Sequence, residues 1–416
     1  MFSVRIPGRG LGRSDKLRFN LLKVIDFKTF VVGNPPPGFG GRYWVFLKLV
    51  TDGGVVGYGE AYSLPFHPRV VEALMQDVCQ RYVVGSDPFR IEWLWRQIYS
   101  SGYSQRSGIV LMAILSAVEM ACWDIVGKEL NRPVYDLMGG RVRDRVRTYT
   151  YLYPEAGDST DVYVDPELAA SRAAAYVDRG FTAVKFDPVG PYSAFDPREP
   201  SLAALDRATA FTRCIREAVG SRADLLLGTH GQLTPTGAIR LAKRLESYDP
   251  LWLEEPVPPE NEAAMAQVAR GTTIPIASGE RLATKYEFNR LLAQRAVGIL
   301  QMNLGRVGGL LESKKIAAMA EAHYCQIAPH VYCGPVVAAA SVQLAVCSPN
   351  FLIQEGILDW SGFQAKLVKC PIQWEAGYVV PPTAPGLGVE LDESIAKAHP
   401  YEGDALHLEM SPDPVV

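Results

Sequence analysis

Residues 251–280 read LWLEEPVPPENEAAMAQVARGTTIPIASGE, where two short apolar runs, each ending in glutamate, flank an amphipathic stretch. The same alternation occupies the chain from Val146 onward, and its apolar runs are VRTYTYLY, FTAVKFDP, DLLLGTHG, LWLEEP, IPIASGE, VGILQMN, CQIAPH and NFLIQE. Continuously apolar runs are typical of parallel strands that are buried on both faces. Eight such β/α units predict an α/β fold, a (β/α)₈ TIM barrel.

An open, doubly wound parallel sheet is the alternative arrangement for the same alternation. It is disfavoured because no G-x-G-x-x-G follows the first strand, and because polar residues end nearly every run instead of gathering at one switch point. Ahead of the barrel, 43–58 holds two β-rich runs joined by Asp52-Gly53-Gly54, which predicts a hairpin. Apolar residues recur at three- and four-residue intervals over 114–125, which predicts a helix.

These patterns divide the 416 residues into three parts. We predict an N-terminal α+β domain over 1–140, a barrel domain over 141–370, and a C-terminal segment over 371–416 that packs back on the first domain. The strand and helix rhythm stops near Leu367, which sets the last boundary.

Charge and composition narrow the class of partner. The net charge of −3 and the lack of a basic run disfavour nucleic acid, so a small molecule is the expected substrate. The first residues lack the apolar core of a signal peptide, and no long apolar run predicts a membrane span. Seven cysteines, an odd number with no C-x-x-C pair, indicate reduced thiols in a cytoplasmic protein.

Polar residues end the predicted strands, and in a barrel these ends converge on one mouth. In chain order they are Lys185, Asp187, His230, Glu254, Glu280, Asn303, His330 and Glu355. Gly228, Glu254 and Glu280 are each 26 residues apart, so they take equivalent places on adjacent strands. Two facing carboxylates would repel, and Mg²⁺, or Mn²⁺ in its place, would relieve that conflict. Alternatively, one carboxylate pairs with a cation such as Arg281 or Lys285.

The two strand-end histidines, His230 and His330, are candidates for general acid and base because imidazole titrates near neutral pH. The alternative is a structural role for each ring. Glu355 either assists the substrate, by a hydrogen bond or as a protonated acid, or forms a buried ion pair. Among the other histidines, only His67 is predicted to reach the mouth, whereas His323, His399 and His407 lack such a setting.

Several motifs, in this order along the chain, resemble the enolase superfamily, nearest its mandelate racemase and galactonate dehydratase branch. They are WDIVGKELNRPVYDLMGG, LWLEEPVPPEN, PIASGERL, GRVGGLLESKKIAAMAEAH and APHVYCGP. The resemblance implies a modified (β/α)₈ barrel and an N-terminal α+β capping domain that is completed by the C-terminal tail. Two mobile loops of the capping domain, here 33–41 and 61–69, would close over the barrel mouth. It also implies that Glu254 and Glu280 are metal ligands, that His230 and His330 move protons, and that Glu355 assists the enolate.

Two positions depart from the family pattern. Gly228 stands where the first metal ligand is normally an aspartate, and Asn303 replaces the aspartate that orients the seventh-strand histidine. We expect Asp187, on the neighbouring strand, to supply the missing carboxylate through the space left at Gly228. Lys185 is then left to contact the substrate carboxylate.

The predicted function is a Mg²⁺-dependent dehydratase of a sugar acid that yields a 2-keto-3-deoxy acid. We expect Asn303, Arg281 and His67 to bind substrate. One alternative is a cycloisomerase of a sugar-acid lactone or anhydro-sugar acid, and the other is an inactive, metabolite-binding barrel. The resemblance also implies a homo-oligomer, either a dimer or an octamer.

Overall fold

The computed structural model describes residues 22–62, 65–103 and 108–415. The N-terminal stretch 1–19, in which no signal peptide was predicted, lies outside the described residues. The first part of the fold is an antiparallel sheet of β1, β2 and β3 with helices packed beside it. Its elements are β1 (Val24–Gly33), β2 (Tyr43–Thr51), β3 (Val56–Ala61), α1 (Pro68–Val78), α2 (Ile91–Ser100), α3 (Ile109–Glu129) and α4 (Val134–Leu137). The predicted hairpin is confirmed, because β2 pairs with β3 in antiparallel register.

Helix α3 is the core helix of this capping domain. By length and apolar composition it could cross a membrane, but 78% of its most apolar window is buried inside the protein. Two glycines let it approach β3 closely. A Cβ at Gly59 would lie 1.8 Å from the Ala117 carbonyl oxygen, and one at Gly57 would lie 2.1 Å from that of Ala121. The apolar surface of α3 is therefore explained by packing.

The second part alternates strands and helices as the sequence predicts. Its elements are β4 (Val146–Tyr151), α5 (Pro166–Asp178), β5 (Ala183–Phe186), α6 (Leu202–Val219), β6 (Asp224–Gly228), α7 (Pro235–Leu245), β7 (Trp252–Glu254), α8 (Glu262–Gly271), β8 (Ile276–Ser278), α9 (Thr284–Ala293), β9 (Ile299–Leu300), α10 (Leu310–Ala322), β10 (Gln326–Ile327), α11 (Pro335–Cys347), β11 (Gln354–Gly356) and α12 (Phe363–Lys366). Strands β4 to β10 pair in parallel order. The sheet closes because β11 pairs with β4 and Phe351 bridges to Ile327.

The barrel is modified after its eighth strand. A four-residue helix, α12, follows β11. A hairpin of β12 (Gln373–Glu375) and β13 (Tyr378–Val380) comes next, and β13 pairs antiparallel with β4. The last helix is α13 (Glu393–Ala398). The predicted domain boundaries near residues 140 and 370 stay predictions.

One layer of side chains fills the barrel interior below the mouth. Each of the eight strands, or the residue flanking it, contributes one buried side chain, namely Tyr149, Ala183, Leu226, Trp252, Ala277, Ile299, Ala328 and Ile353. A packed interior of this kind is characteristic of TIM barrels, whose sites lie at the C-terminal face. Polar side chains at the next positions along the strands are therefore confined to the mouth.

Two buried glutamates of the capping domain attach it to the barrel. Glu60 accepts hydrogen bonds from backbone amides at the N-terminus of α11, including that of Val337 at 3.0 Å. Glu119 accepts from the amides of Leu310 and Leu311, at the start of α10, at 2.7 and 2.9 Å. A carboxylate at a helix N-terminus satisfies amides that have no partner in the helix. Both contacts hold the capping domain at the barrel rim.

Candidate active site

The strand ends of β6, β7 and β8 bring three possible metal donors together. His230, Glu254 and Glu280 each offer one ligand atom, and these atoms all lie within 4.8 Å of one another. Glu254 is fully buried and Glu280 is 9% exposed. Burial of two carboxylates without an equivalent positive charge is costly, so this donor set suits a divalent cation. The two glutamates do not occupy equivalent strand positions, because β7 and β8 pair Glu254 with Ala277 and Glu280 lies two residues beyond the end of β8.

Lys185 lies below the cluster and is fully buried. Its ammonium group pairs with Glu254 Oε1 and lies 3.9 Å from Glu355 Oε1. Burial alone would lower the pKa of Lys185, but Glu254 and Glu355 together raise it above its usual value. Gln301 donates a 2.7 Å hydrogen bond to Glu254 Oε2, which fixes that carboxylate further. Lys185 is therefore a permanent cation at the base of the site.

Burial makes Glu355 harder to ionise than an exposed glutamate. Burial raises its pKa to about 8, against the opposing effect of Lys185. Its Oε2 accepts a hydrogen bond from the Val331 amide at 2.7 Å and lies 3.7 Å from His330 Nε2. Its other oxygen, Oε1, lies 3.9 Å from Lys185 Nζ, within ion-pairing distance.

Asn303 fixes the tautomer of His330. The side-chain oxygen of Asn303 accepts from the Gly305 amide at 2.9 Å, so its NH₂ group faces the ring and donates to His330 Nδ1 at 2.9 Å. The neutral ring then carries its proton on Nε2, which lies 3.2 Å from Glu280 Oε2. Burial lowers the pKa of His330 to about 4, although Glu280 opposes this shift. His330 is consequently a neutral hydrogen-bond donor through Nε2.

The space beside Gly228 is filled from two neighbours. A Cβ at Gly228 would lie 2.3 Å from Asp187 Oδ1 and 3.2 Å from the His230 ring. Asp187 also lies 3.7 Å from His230 Nδ1. Tyr192 donates to the other oxygen of Asp187, and Tyr151 donates to Oδ1 at 3.2 Å. The absence of a side chain at 228 leaves room for Asp187, but the donors that lie within 4.8 Å of one another are His230, Glu254 and Glu280.

Two predicted substrate-binding residues have other partners. Arg281 pairs with Glu255 at 2.9 Å, lies 3.7 Å from Glu280, and donates to the His230 carbonyl oxygen. This is partly the ion pair that the sequence left as an alternative. His67 accepts from the Arg69 amide at the start of α1, and its Nε2 lies 3.1 Å from the Gly403 carbonyl oxygen. These contacts place His67 between α1 and the C-terminal segment.

Sequence reasoning missed the tyrosines around the histidines, and it also missed His407. The Tyr62 ring lies 5.5 Å from that of His330, and the Tyr192 ring lies 4.5 Å from that of His230. His407 is 3% exposed, and burial lowers its pKa to about 3. The alternating tyrosines of VRTYTYLY could have indicated Tyr151, but no local pattern signals His407 or Tyr192.

The barrel, its capping domain and this mouth define an enzyme of the type that gathers acid, base and cation-binding groups at strand ends. The model of the mandelate racemase / muconate lactonizing enzyme N-terminal domain matches 39–139, and the enolase C-terminal domain-like model matches 168–395. The chain therefore belongs to the mandelate racemase/muconate lactonizing enzyme group of the enolase superfamily.

Named relatives are consistent with this placement. A D-galactonate dehydratase of Ralstonia nicotianae is 38% identical over 85% of this chain and 90% of its own length. A D-xylonate dehydratase of Haloferax volcanii is 36% identical over 91% of this chain and 89% of its own. A crystal structure from Labrenzia alexandrii, assigned to the same group, is 57% identical, with a TM-score of 0.93 over 95% of this chain and 100% of that one.

All seven cysteines are free. Six are buried and Cys370 is exposed.

Proposed function

We propose that the protein is a sugar-acid dehydratase that removes the proton α to a carboxylate and expels the β-hydroxyl group as water. The observation that carries the proposal is the fixed Nε2–H tautomer of His330 at the same mouth as a second imidazole, His230. Elimination needs both an acid and a base. The relatives named as D-galactonate and D-xylonate dehydratases support an aldonic acid as the substrate class.

Glu254 and Glu280 would hold a divalent cation, Mg²⁺ or Mn²⁺, and we propose Asp187 as the third carboxylate. Support for Asp187 comes from its oxygen in the space of the missing side chain at Gly228. His230 is the competing third donor, because it already lies within the 4.8 Å cluster. When bound, the cation supplies Lewis-acid neutralisation of the charge that develops on the substrate carboxylate.

Four side chains carry out the remaining steps of the proposed reaction. Lys185 binds the substrate carboxylate, and neutral Glu355 donates a hydrogen bond to the enediolate. His230 accepts the α-proton, and the electron pair of the broken carbon–hydrogen bond forms the carbon–carbon double bond. His330 Nε2 gives its proton to the β-hydroxyl as the carbon–oxygen bond breaks, water leaves, and the proton that His230 took from the α-carbon restores the neutral His330 ring. The resulting enol converts to a 2-keto-3-deoxy acid.

The cycloisomerase alternative uses the same groups with a ring oxygen as the leaving group. An inactive binding barrel is less consistent with the assembled mouth, because Lys185, both glutamates and both histidines converge there. A cytoplasmic location and a homo-oligomeric state, dimer or octamer, complete the proposal.

A substrate screen tests the function. Purified protein with Mg²⁺ is incubated with a panel of aldonic and aldaric acids, and 2-keto product is measured. Glu254→Gln should abolish turnover, whereas Glu217→Gln, at an exposed position of α6, should leave it unchanged. Full turnover by Glu254→Gln, or release of an anhydro or lactone product instead of a 2-keto acid, would contradict the proposal.

Metal titration separates the two candidates for the third donor. Asp187→Asn and His230→Asn are compared by calorimetry with Mg²⁺ and Mn²⁺. We expect the larger loss of affinity, at least tenfold, for Asp187→Asn. A larger loss for His230→Asn would assign the imidazole to the ion and leave the proton-accepting role to Asp187.

A further inference from the structure

The last part of the C-terminal segment, Tyr401–Asp413, connects the capping sheet to the barrel mouth. Below, the segment means these residues. At one end it extends the edge of β1, since the Tyr401 amide donates to the Val31 carbonyl oxygen at 3.1 Å. At the other end it pairs with the loop after β5. The Ser411 amide donates to Tyr192 at 3.1 Å, and the Ala194 amide donates to Ser411 at 3.0 Å.

His407 anchors the middle of this segment. Its ring lies edge-on to Tyr43, Tyr62 and Tyr332, at centroid distances of 5.6, 5.4 and 6.0 Å. The capping loop closes over it only because position 41 is glycine, since a Cβ there would lie 1.8 Å from His407 Nε2. Gly41 also has φ of +103°, a conformation that glycine adopts without strain.

Surface contacts contribute little to holding the segment. Arg42 and Glu409 form an ion pair at 3.3 Å, but their side chains are 52% and 45% exposed. Exposed pairs of this type contribute little to stability. The segment is therefore held mainly by the buried aromatic contacts of His407 and by the backbone hydrogen bonds at its two ends.

At two points, His407 and Ser411, this segment contacts a tyrosine that lies beside a candidate catalytic histidine. Tyr62 lies between His407 and His330, with ring centroids 5.4 and 5.5 Å away. Tyr192, whose backbone pairs with Ser411, donates to Asp187 and packs against the His230 ring. One segment thus supports the two tyrosines that flank the acid and the base of the proposed reaction.

We propose that the C-terminal segment is a wall of the active site and that His407 is a positioning residue, which holds Tyr62 against His330. The inference rests on the proposed dehydratase function for its kinetic consequence. The wall holds the acid and the base in their positions and excludes water from the mouth. Its loss should lower kcat more than it raises KM, because the chemical step depends on the placement of both rings.

Three variants of the full chain test this inference. His407→Ala removes the ring, His407→Phe keeps its aromatic packing, and Glu409→Ala is the control on the same segment. With the aldonic acid that the wild type turns over, His407→Ala should lower kcat at least tenfold with less than a threefold change in KM. His407→Phe should retain most of the rate, and Glu409→Ala should match the wild type.

Hydrogen exchange gives a readout that does not depend on turnover. The Tyr62 amide donates to Gly305 at 3.0 Å and the Ala194 amide donates to Ser411. In His407→Ala both amides should exchange at least tenfold faster, while the Leu253 amide, within the barrel sheet, keeps its rate. The exchange result stands even if no aldonic acid proves to be a substrate, so failure of the proposed function is distinguishable. Unchanged exchange at Tyr62, or a kcat within twofold of the wild type in His407→Ala, would overturn the inference.

Discussion

Replacement of Asn303 by aspartate should convert His330 from a proton donor to a proton acceptor. In the wild type, the NH₂ group of Asn303 donates to Nδ1 at 2.9 Å, so the neutral ring is protonated on Nε2. A carboxylate at 303 can only accept, which places the proton on Nδ1. The neutral ring of the variant then presents a lone pair at Nε2, toward Glu280 and the substrate.

The size of the change follows from the new charge. A carboxylate within about 4–6 Å raises the pKa of an imidazole by about 1–3 units. Since burial lowers the pKa of His330 to about 4 in the wild type, a rise of about 2 units, worth about 2.7 kcal/mol, brings it to about 6 in the variant. At pH 8 the wild type therefore offers a neutral Nε2–H group, whereas the variant offers no proton. Loss of an acid of this kind costs about 10²–10⁴ in rate.

The assay follows kcat/KM for 2-keto product from pH 5 to 9, and exchange of the α-proton in D₂O by NMR. Asn303→Asp should lose dehydration above about pH 6 and retain α-proton exchange, which belongs to His230. Nitrogen-15 shifts of labelled histidine report the tautomer directly. Asn303→Ser, which removes the amide without adding charge, is the control. Dehydration by Asn303→Asp that equals or exceeds the wild type at pH 8 would show that His330 is the base and refute the reasoning.

Four further outcomes follow from particular contacts. Glu355→Gln keeps a neutral donor, so it should abolish the fall in rate that the wild type shows as Glu355 ionises above about pH 8; a pH profile that keeps this fall would count against the role. Lys185→Met leaves Glu254 and Glu355 buried without their cation, and without added metal it should lower the free energy of unfolding by about 3–5 kcal/mol in a denaturant titration. Gly59→Ala forces a methyl group against the Ala117 carbonyl and should cost about 3 kcal/mol, whereas Gly298→Ala, which meets nothing within 4 Å, should leave the thermal midpoint unchanged. Gly228→Asp should lose activity because its new Cβ would lie 2.3 Å from Asp187. Gly228→Asp/Asp187→Ala should recover part of that activity. Equal activity of the two variants would show that the side chains at 187 and 228 do not compete for the same space.

The sequence predicted the barrel because a parallel strand buried on both faces leaves a local signature, a short and continuously apolar run. The equal spacing of repeated β/α units indicated that Glu254 and Glu280 both lie at the mouth, but it did not give their register, since Glu254 pairs with Ala277 and Glu280 follows the end of β8. The end of the strand and helix rhythm near Leu367 was predicted, but the hairpin that follows it was not. The stretch after β11 contains apolar residues, but the chain instead forms α12 and a hairpin that pairs with β4.

The surroundings of the histidines could not be predicted, because they depend on contacts between distant parts of the chain. His407 meets Tyr62 across 345 positions, and Tyr192 reaches Asp187 only through the fold of its loop. The tautomer of His330 depends on the Gly305 amide, which fixes the orientation of Asn303. No periodicity or motif carries such information. These contacts exist only after the chain has folded and brought the side chains together at the barrel mouth.

The two departures from the family pattern act in the same direction. An aspartate at 228 and another at 303 would each add a negative charge to a mouth that already holds Asp187, Glu254 and Glu280. Without these two aspartates, the fully buried cation Lys185 faces fewer negative charges in the mouth. With amide and glycine in place, His330 remains neutral and Asp187 can approach His230. Since both positions bear on the same small set of charges, their effects should not add: Gly228→Asp combined with Asn303→Asp should lose more activity than the product of the single losses.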